Sequence, residues 1–390
     1  MPPSDALRRE DQLGLPEKKY PLKVAFCHDC TLVQITETVP PEELFSKDYV
    51  YYSSFSNALL EHARKNVEAR IASRKLSARK LSGQSLVVEL ASNDGYLLQF
   101  YKQAGVPVLG IDPAEGQART ANERGIHTLC DFFTVDLARR LRDEGKQADV
   151  VHGNNVLAHV ADTNGFVSGI ATILKPDGVA VLEFPYLRDL VEHCEFDTIY
   201  HEHLCYFSVH ALVTLFERHG LYLNDVEHHP IHGGSLRVFV GKNRDVQPAV
   251  SQFLERERRE GMNLLEHYAG FAGRVESVKA RLRQIVDDLK AEGKSLAAYG
   301  AAAKGTILVN YVGLGRDKID FVVDRNVHKQ GRYMPGVHIP IRPVETLTER
   351  MPAYTIVLPW NFKDEILAQQ TEYRGKGGKF IIPIPWPEIV

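Results

Sequence analysis

Val87-Val-Glu-Leu-Ala-Ser-Asn-Asp-Gly-Tyr-Leu-Leu98, followed by Val108-Leu-Gly-Ile-Asp-Pro113, is the stretch on which the fold turns. An apolar run ends in small and polar residues, a helical pattern follows, and a second apolar run closes on an acid. That order reads as β-turn-α-β. Sheets of this kind bind ligands where the parallel strands end, and Asp112, at the tip of the second strand, is placed to accept bonds from a ribose diol, with Pro113 beside it. A dinucleotide needs G-x-G-x-x-G so that amides can approach the pyrophosphate, yet this turn carries Ala91, Asn93 and Asp94, with Gly95 its only glycine. An acid there repels phosphate. Glu89 and Asp94 suit a cationic amino group, as at the methionyl end of S-adenosylmethionine, so the turn points to methyl transfer over hydride transfer. The plain alternative is a tight turn in an ordinary βαβ unit.

Working outward, 390 residues exceed one ordinary core, so two or three domains are expected. A net charge of −3 without a basic stripe argues against nucleic-acid binding and for small-molecule partners. The N-terminus lacks the apolar core of a signal peptide, and no apolar run is long enough to span a bilayer, so a cytoplasmic protein without membrane contact is expected. Five cysteines, scattered except for Cys27 and Cys30, argue for reduced thiols.

Residues 1–20 are polar and aperiodic, which predicts a poorly ordered start. Tyr20 to Gln34 reads as strand, Cys-x-x-Cys knuckle, strand: Cys27 and Cys30 form half of a tetrahedral zinc site, and no second Cys-x-x-Cys supplies the other half. From Asp48 a tyrosine cluster leads into a helix capped by Ser54 or Ser56. Tyr51, Tyr52 and the neighbouring serines are placed to form a lid over a ligand carboxylate, or to pack as a seam. After Asp112, a helix over Gln117 to Arg124 precedes a third strand, where Asp131 and Phe132 are placed to bracket an adenine. The strand from Ala148 breaks into polar residues, Asn154 and Asn155 among them, at the edge that faces the crevice. A fifth strand, Gly178 to Pro185, ends in the same way.

Eight of the sixteen histidines fall between His193 and His232. At the centre stands Tyr200-His-Glu-His203. Two histidines two residues apart diverge by roughly 200° on a helix, which is not the pairing of a zincin. Proton chemistry suits them better, since imidazole changes charge near neutral pH and Glu202 or Tyr200 is at hand to orient it or stabilise developing charge. Downstream, His232-Gly-Gly-Ser-Leu-Arg237 opens another strand, its glycines serving close ligand approach or a bulge. Gly261, Leu264, Tyr268, Phe271, Val275, Val278, Leu282, Ile285 and Leu289 step by threes and fours, predicting one long helix packed across domains or onto a partner subunit. From Ser295 a second nucleotide-type unit begins: a strand ending at Tyr299, a small-residue turn with Lys304 entering a helix, and a strand closing on Asp324. A helix N-terminus with a lysine attracts phosphate.

Taken together, Glu-Leu-Ala-Ser-Asn-Asp-Gly (89–95), Tyr-His-Glu-His (200–203), His-Gly-Gly-Ser-Leu-Arg (232–237) and Tyr-Gly-Ala-Ala-Ala-Lys-Gly (299–305) resemble the sugar C-methyltransferases of deoxysugar biosynthesis over nearly the whole chain. The resemblance implies an α/β protein: a small N-terminal zinc-binding and helical module (1–80), a central class I methyltransferase Rossmann-like domain (81–245), a long linking helix (246–292) and a C-terminal Rossmann-like sugar-nucleotide domain (293–390). It implies S-adenosylmethionine as cofactor, held by Glu89, Ala91, Asn93, Gly95, Asp112, Pro113, Asp131, Phe132, Asn154, Asn155 and Tyr52. The substrate it implies is a nucleotide-linked keto sugar, held by His232, Gly233, Ser235, Arg237, Tyr299, Lys304 and Asp324. The base would be His203, oriented by Glu202, with Tyr200 and His159 beside it, in a monomer or weak homo-oligomer. The chain departs from the family at the front, beginning after the point where the first Cys pair stands and keeping only Cys27 and Cys30. O-methylation of a sugar or other small molecule, and non-enzymatic sugar-nucleotide binding, are the competing functions. A positioned base separates them, because only a carbon acid needs one together with enolate stabilisation.

Overall fold

Val87–Leu90 is buried along its whole length, the signature of a parallel strand covered on both faces, and it is an interior strand of a seven-stranded sheet. The computed structural model describes residues 1–40, 44, 51–72 and 85–390. The start of the tyrosine cluster at Asp48 to Val50 and the boundary expected near residue 80 lie outside the described residues. In chain order the strands are β1 (Val24–Phe26), β2 (Val33–Ile35), β3 (Val87–Leu90), β4 (Val108–Ile111), β5 (Thr128–Leu129), β6 (Ala148–Asn154), β7 (Leu174–Pro185) and β8 (Cys205–Tyr206). There follow β9 (Tyr222–His229), β10 (Ser235–Gly241), β11 (Leu296–Tyr299), β12 (Val322–Val323), β13 (Ile341–Arg342), β14 (Tyr354–Val357), β15 (Lys379–Ile382) and β16 (Glu388–Ile389).

The large sheet runs β5-β4-β3-β6-β7-β10-β9. Its first five members are parallel, and β10 is antiparallel to both neighbours. Strand order reverses direction on the two sides of β3, so the turn after Leu90 opens at the switch point where such sheets bind ligands. Gly95 sits in that turn at φ +78, and a Cβ there would meet Ile126 Cδ1 at 2.5 Å, so the turn admits glycine alone without a shift.

A second sheet, β13-β12-β11-β14-β15-β16, is parallel through β15 and closed by antiparallel β16. The expected long helix is two: Pro248–Glu260 ends on Gly261 in the left-handed conformation, φ +76, and Phe271–Ala291 restarts after a short 3-10 turn. The apolar repeat is realised in the second helix, where Val275, Val278, Leu282, Ile285 and Leu289 are buried against the β11 sheet. The seam therefore packs within the chain.

The third sheet, β1-β2-β8, is antiparallel and takes β8 from the central segment. Residues 1–20 are not a loose tail. The Met1 ammonium donates to the Tyr20 carbonyl (2.9 Å), Arg8 pairs with Tyr333 in a β-bridge, and Leu7 is buried in the core around β11. Aperiodic polarity misled the reading because the segment docks by a few anchored groups and not by an amphipathic face. Among the described residues no helix is long and apolar enough to cross a membrane.

Candidate active site

A cavity of about 620 Å³ lies at the carboxyl edge of the large sheet and is walled on its far side by the loops of the second sheet. Ala91, Asn93, Asp112, Pro113, Phe132, Asn154 and Asn155 line it as expected, together with Tyr51. Asp112 is held at both oxygens: Asn93 N donates to Oδ2 (2.8 Å) and Ala114 N to Oδ1 (2.9 Å). Burial pushes its carboxyl up to about 6 even though these two amides pull the other way. The Ser53 amide donates to Asn93 Oδ1 (2.9 Å), so the tyrosine-serine segment closes over the turn.

Four expected cofactor residues stand off the cavity wall. Glu89 lies beneath the turn, where burial and then the nearby Asp112 and Asp94 push its carboxyl well up against the opposing pull of the Leu98 amide. Gly95 shapes the turn from behind. Asp131 is half exposed and faces Arg140 at 3.8 Å. Tyr52 turns outward to stack on Phe55 and His328, leaving Tyr51 as the lining tyrosine. Asp94 also differs from expectation: its carboxylate accepts from Ser54 and from Arg124 (3.0 Å), so its charge is spent inside the protein.

Tyr200, Glu202, His203 and His159 all line the cavity. His203 Nδ1 lies 2.9 Å from the Thr198 carbonyl, which can only accept, so Nδ1 carries the proton and Nε2 presents its lone pair. The Tyr200 hydroxyl donates to that Nε2 at 2.8 Å. The His159 ring meets the His203 ring edge-on at 4.7 Å. Burial, and after it the adjacent His159, holds the His203 imidazole well below its ordinary range, so it is neutral at pH 7. His159 is lowered to about 4 by burial. The carbonyl of Thr198, and not Glu202, holds the His203 ring by its Nδ1. Glu202 instead receives the Ser4 hydroxyl on Oε1 (2.8 Å), and burial, then the charge of Asp5, pushes its carboxyl up to about 8.

On the far wall stand His232, Lys304, Lys329, Asn361 and Phe362. Lys304 enters from the first turn of the helix Ala303–Val312 and sits over the Trp360 ring at 4.5 Å. Trp360 in turn donates to Asp197 Oδ2 (2.8 Å). The remaining expected substrate residues are elsewhere. Arg237 is buried in a network with Glu183 (2.7 Å) and Glu227 (3.2 Å), where an unpaired guanidinium would be costly. Gly233 and Gly234 lie against the Glu195 and Asp189 carboxylates, with no room for a side chain. The Ser235 hydroxyl donates to the Ile231 carbonyl (3.1 Å), Tyr299 is packed in the second core, and Asp324 accepts from the Ala301 and Asn326 amides. Asp5, Lys329, Thr198 and Asn361 carried no signal in the sequence, because each reaches the cavity only through tertiary packing.

Cys27 and Cys30 form the expected knuckle, with the Thr31 amide donating to the Cys27 carbonyl (2.9 Å). Among the described residues, the one group of three or more His, Cys, Asp or Glu side chains with converging ligand atoms is Asp189, Glu192 and His193, far from this knuckle in the chain. Two thiols alone do not make a structural zinc site, so the described residues do not fit the ion.

The strand order, the acid-tipped second strand and the cavity at the switch point define a class I methyltransferase fold. Comparison with known proteins agrees. Models described as "Putative zinc binding domain", "Methyltransferase domain" and "C-methyltransferase C-terminal domain" match residues 1–45, 60–226 and 230–385. The C-methyltransferase NovU of Streptomyces niveus is 38% identical over 384 residues, covering 98% of this chain and 90% of that protein. A ubiquinone biosynthesis O-methyltransferase of Bartonella tribocorum is 29% identical over 97 residues, 24% of this chain and 38% of its own. Among solved structures, magnesium protoporphyrin IX methyltransferase from Synechocystis PCC 6803 with bound S-adenosylmethionine overlaps 47% of this chain and 79% of its own at 16% identity, with a TM-score of 0.36. The chain belongs to the C-methyltransferase family of which NovU is a member, and it is S-adenosylmethionine-dependent.

Proposed function

We propose that this enzyme methylates the carbon beside the ketone of a nucleotide-linked deoxysugar, with His203 as the base that forms the enolate. The observation that carries the reading is the tautomer at His203: with Nδ1–H given to Thr198, the Nε2 lone pair stands at the cavity beside the Tyr200 hydroxyl. A carbon next to a ketone is nucleophilic only after losing a proton, and it needs donors at the oxygen where charge develops. In the sugar, that oxygen is two bonds from the carbon that gives up its proton. Tyr200 is one group away from Nε2, so as the C–H approaches Nε2 the phenol O–H is released toward the neighbouring oxygen. Glu202, neutral below about pH 8, offers a second donor on the same wall. The C–H electron pair becomes the enolate double bond, the carbonyl π pair moves to oxygen, and the proton rests on His203.

S-adenosylmethionine, when bound, supplies an electrophilic methyl group on its sulfonium sulfur. Ala91, Asn93, Asp112, Pro113 and Phe132 are the residues that would hold it, Asp112 as acceptor for the ribose hydroxyls. The nucleotide of the sugar substrate is assigned to the opposite wall. There Lys304, the amino end of its ten-residue helix and Lys329 favour an anion.

With a keto-sugar nucleotide in deuterated water, the wild type should exchange the proton alpha to the ketone or show a primary isotope effect there. His203→Asn should lose that proton step and methyl transfer together while binding both ligands. Wild-type methylation by His203→Asn would end the enolate reading. A product methylated on oxygen would favour the O-methyltransferase alternative.

A further inference from the structure

The first eight residues lie between the two large sheets. Leu7 is buried in the core of the second sheet, Arg8 pairs with Tyr333, and the Ser4 carbonyl accepts from Thr306 Oγ1 at 2.9 Å. Ser4 is thus fixed to the C-terminal half of the molecule. Its hydroxyl, however, donates to Oε1 of Glu202, a buried side chain of the loop that carries His203 (2.8 Å). This contact joins residues 198 positions apart.

We propose that Ser4 is a positioning residue of the active site: by occupying Oε1 of Glu202 as a donor, it places the carboxyl proton on Oε2, where it serves the developing enolate oxygen. The inference rests on the reading of Glu202 as a neutral donor beside His203. A protonated carboxyl has one oxygen that accepts and one that donates, and a free rotor would present either to the substrate. With Ser4 as the donor across the 2.8 Å contact, Oε1 is the acceptor and the carboxyl proton sits on Oε2, because the oxygen bearing the proton is the poorer acceptor. No protein partner of Oε2 exists among the described residues, and Glu202 lines the cavity. The groups facing this carboxyl come from several elements. Asp5 of the same N-terminal segment disfavours its ionisation, while Lys329 of the second sheet and the Ser4 hydroxyl favour it. Lys329 stands 4.0 Å from Asp5 Oδ1, and Asp324 acts on Asp5 from behind. Tyr200 and His203 flank Glu202 on its own loop.

The test is a pH series of kcat and KM for Ser4→Ala, Ser4→Thr and Glu202→Ala, with S-adenosylmethionine affinity as the control for folding. Ser4→Ala should lower kcat by roughly tenfold, the worth of one hydrogen bond to an ionisable group, and leave the sugar-nucleotide KM and S-adenosylmethionine affinity close to wild type. The alkaline fall in kcat should move up by about one pH unit, because the lost bond had favoured the carboxylate. Ser4→Thr, which keeps the hydroxyl, should restore both. Ser4→Ala with the wild-type rate and alkaline limb, while Glu202→Ala is inactive, would overturn the proposal and leave the role of Glu202 standing. Equal losses in Ser4→Ala and Ser4→Thr with an unmoved limb, or loss of S-adenosylmethionine binding in Ser4→Ala, would also overturn it by assigning Ser4 a purely structural role. Wild-type turnover by Glu202→Ala would instead refute the underlying mechanism.

Discussion

Asp112 accepts from two backbone amides and still lines the cavity, so it has lone pairs left for a ligand's hydroxyls. Asp112→Ala should weaken S-adenosylmethionine binding by about 1.5–3 kcal/mol, the range for hydrogen bonds to a charged group, as read by calorimetry. Its carboxyl, raised to about 6, is ionised above that pH and protonated below it. Affinity should therefore decline as pH falls through about 6, and Asp112→Asn should lose that dependence. Residues such as Asp112, Asn93, Tyr200 and His203 were legible in the sequence because strand ends and a dense polar loop mark them without knowledge of packing. Arg237 and Asp94 were not, because a charge in a sequence does not disclose its partner: one is spent on Glu183 and Glu227, the other on Arg124. Glu202 stands out in the sequence, but the partner of His203 Nδ1 does not, since the Thr198 carbonyl is a backbone atom with no side-chain signature.

Among the elements, the parallel strands of the large sheet announced themselves as apolar runs because both faces are covered. Two-residue strands such as β13 carry too few side chains to show a period. The apolar seam has the register the sequence predicts, but the helix breaks at Gly261, the residue type that ends helices in the left-handed conformation. Leu282, fully buried in the middle of the helix Phe271–Ala291, carries much of that packing. Leu282→Ala should cost about 2–5 kcal/mol, visible as a lower urea midpoint with an unchanged slope. At the amino end of the helix Ala303–Val312, Lys304→Ala should raise the sugar-nucleotide KM and leave S-adenosylmethionine affinity nearly unchanged, as steady-state kinetics and calorimetry together would report. Equal effects on both ligands would mark Lys304 as a packing residue held over Trp360.

At the scale of the molecule, the cavity wall draws on Asp5, on the turn around Asn93, on the loop around His203 and on Lys304 and Lys329. Local sequence patterns do not encode such an assembly, which explains why an N-terminal stretch expected to be loose is part of the site. Cys27 and Cys30 supply two of the four ligands usual for a structural zinc. Purified protein of this sequence should hold well under one zinc per molecule by elemental analysis, since two ligands of a usual four are present. A full equivalent of zinc would require further ligands to converge on the knuckle.

Strand β8 begins two residues after His203, pairing Gln34 with Cys205 and Val33 with Tyr206, while Leu204 N donates to the Ala158 carbonyl at 2.7 Å. The loop that carries His203 is thereby pinned at a fixed length. Adding or removing one residue between His203 and Cys205 exchanges the faces of the strand and turns the imidazole away from the cavity. Away from Tyr200, Glu202 and His203, substitution is thus an open route for this loop to diverge, and insertion or deletion a closed one: descendants of this enzyme inherit the count.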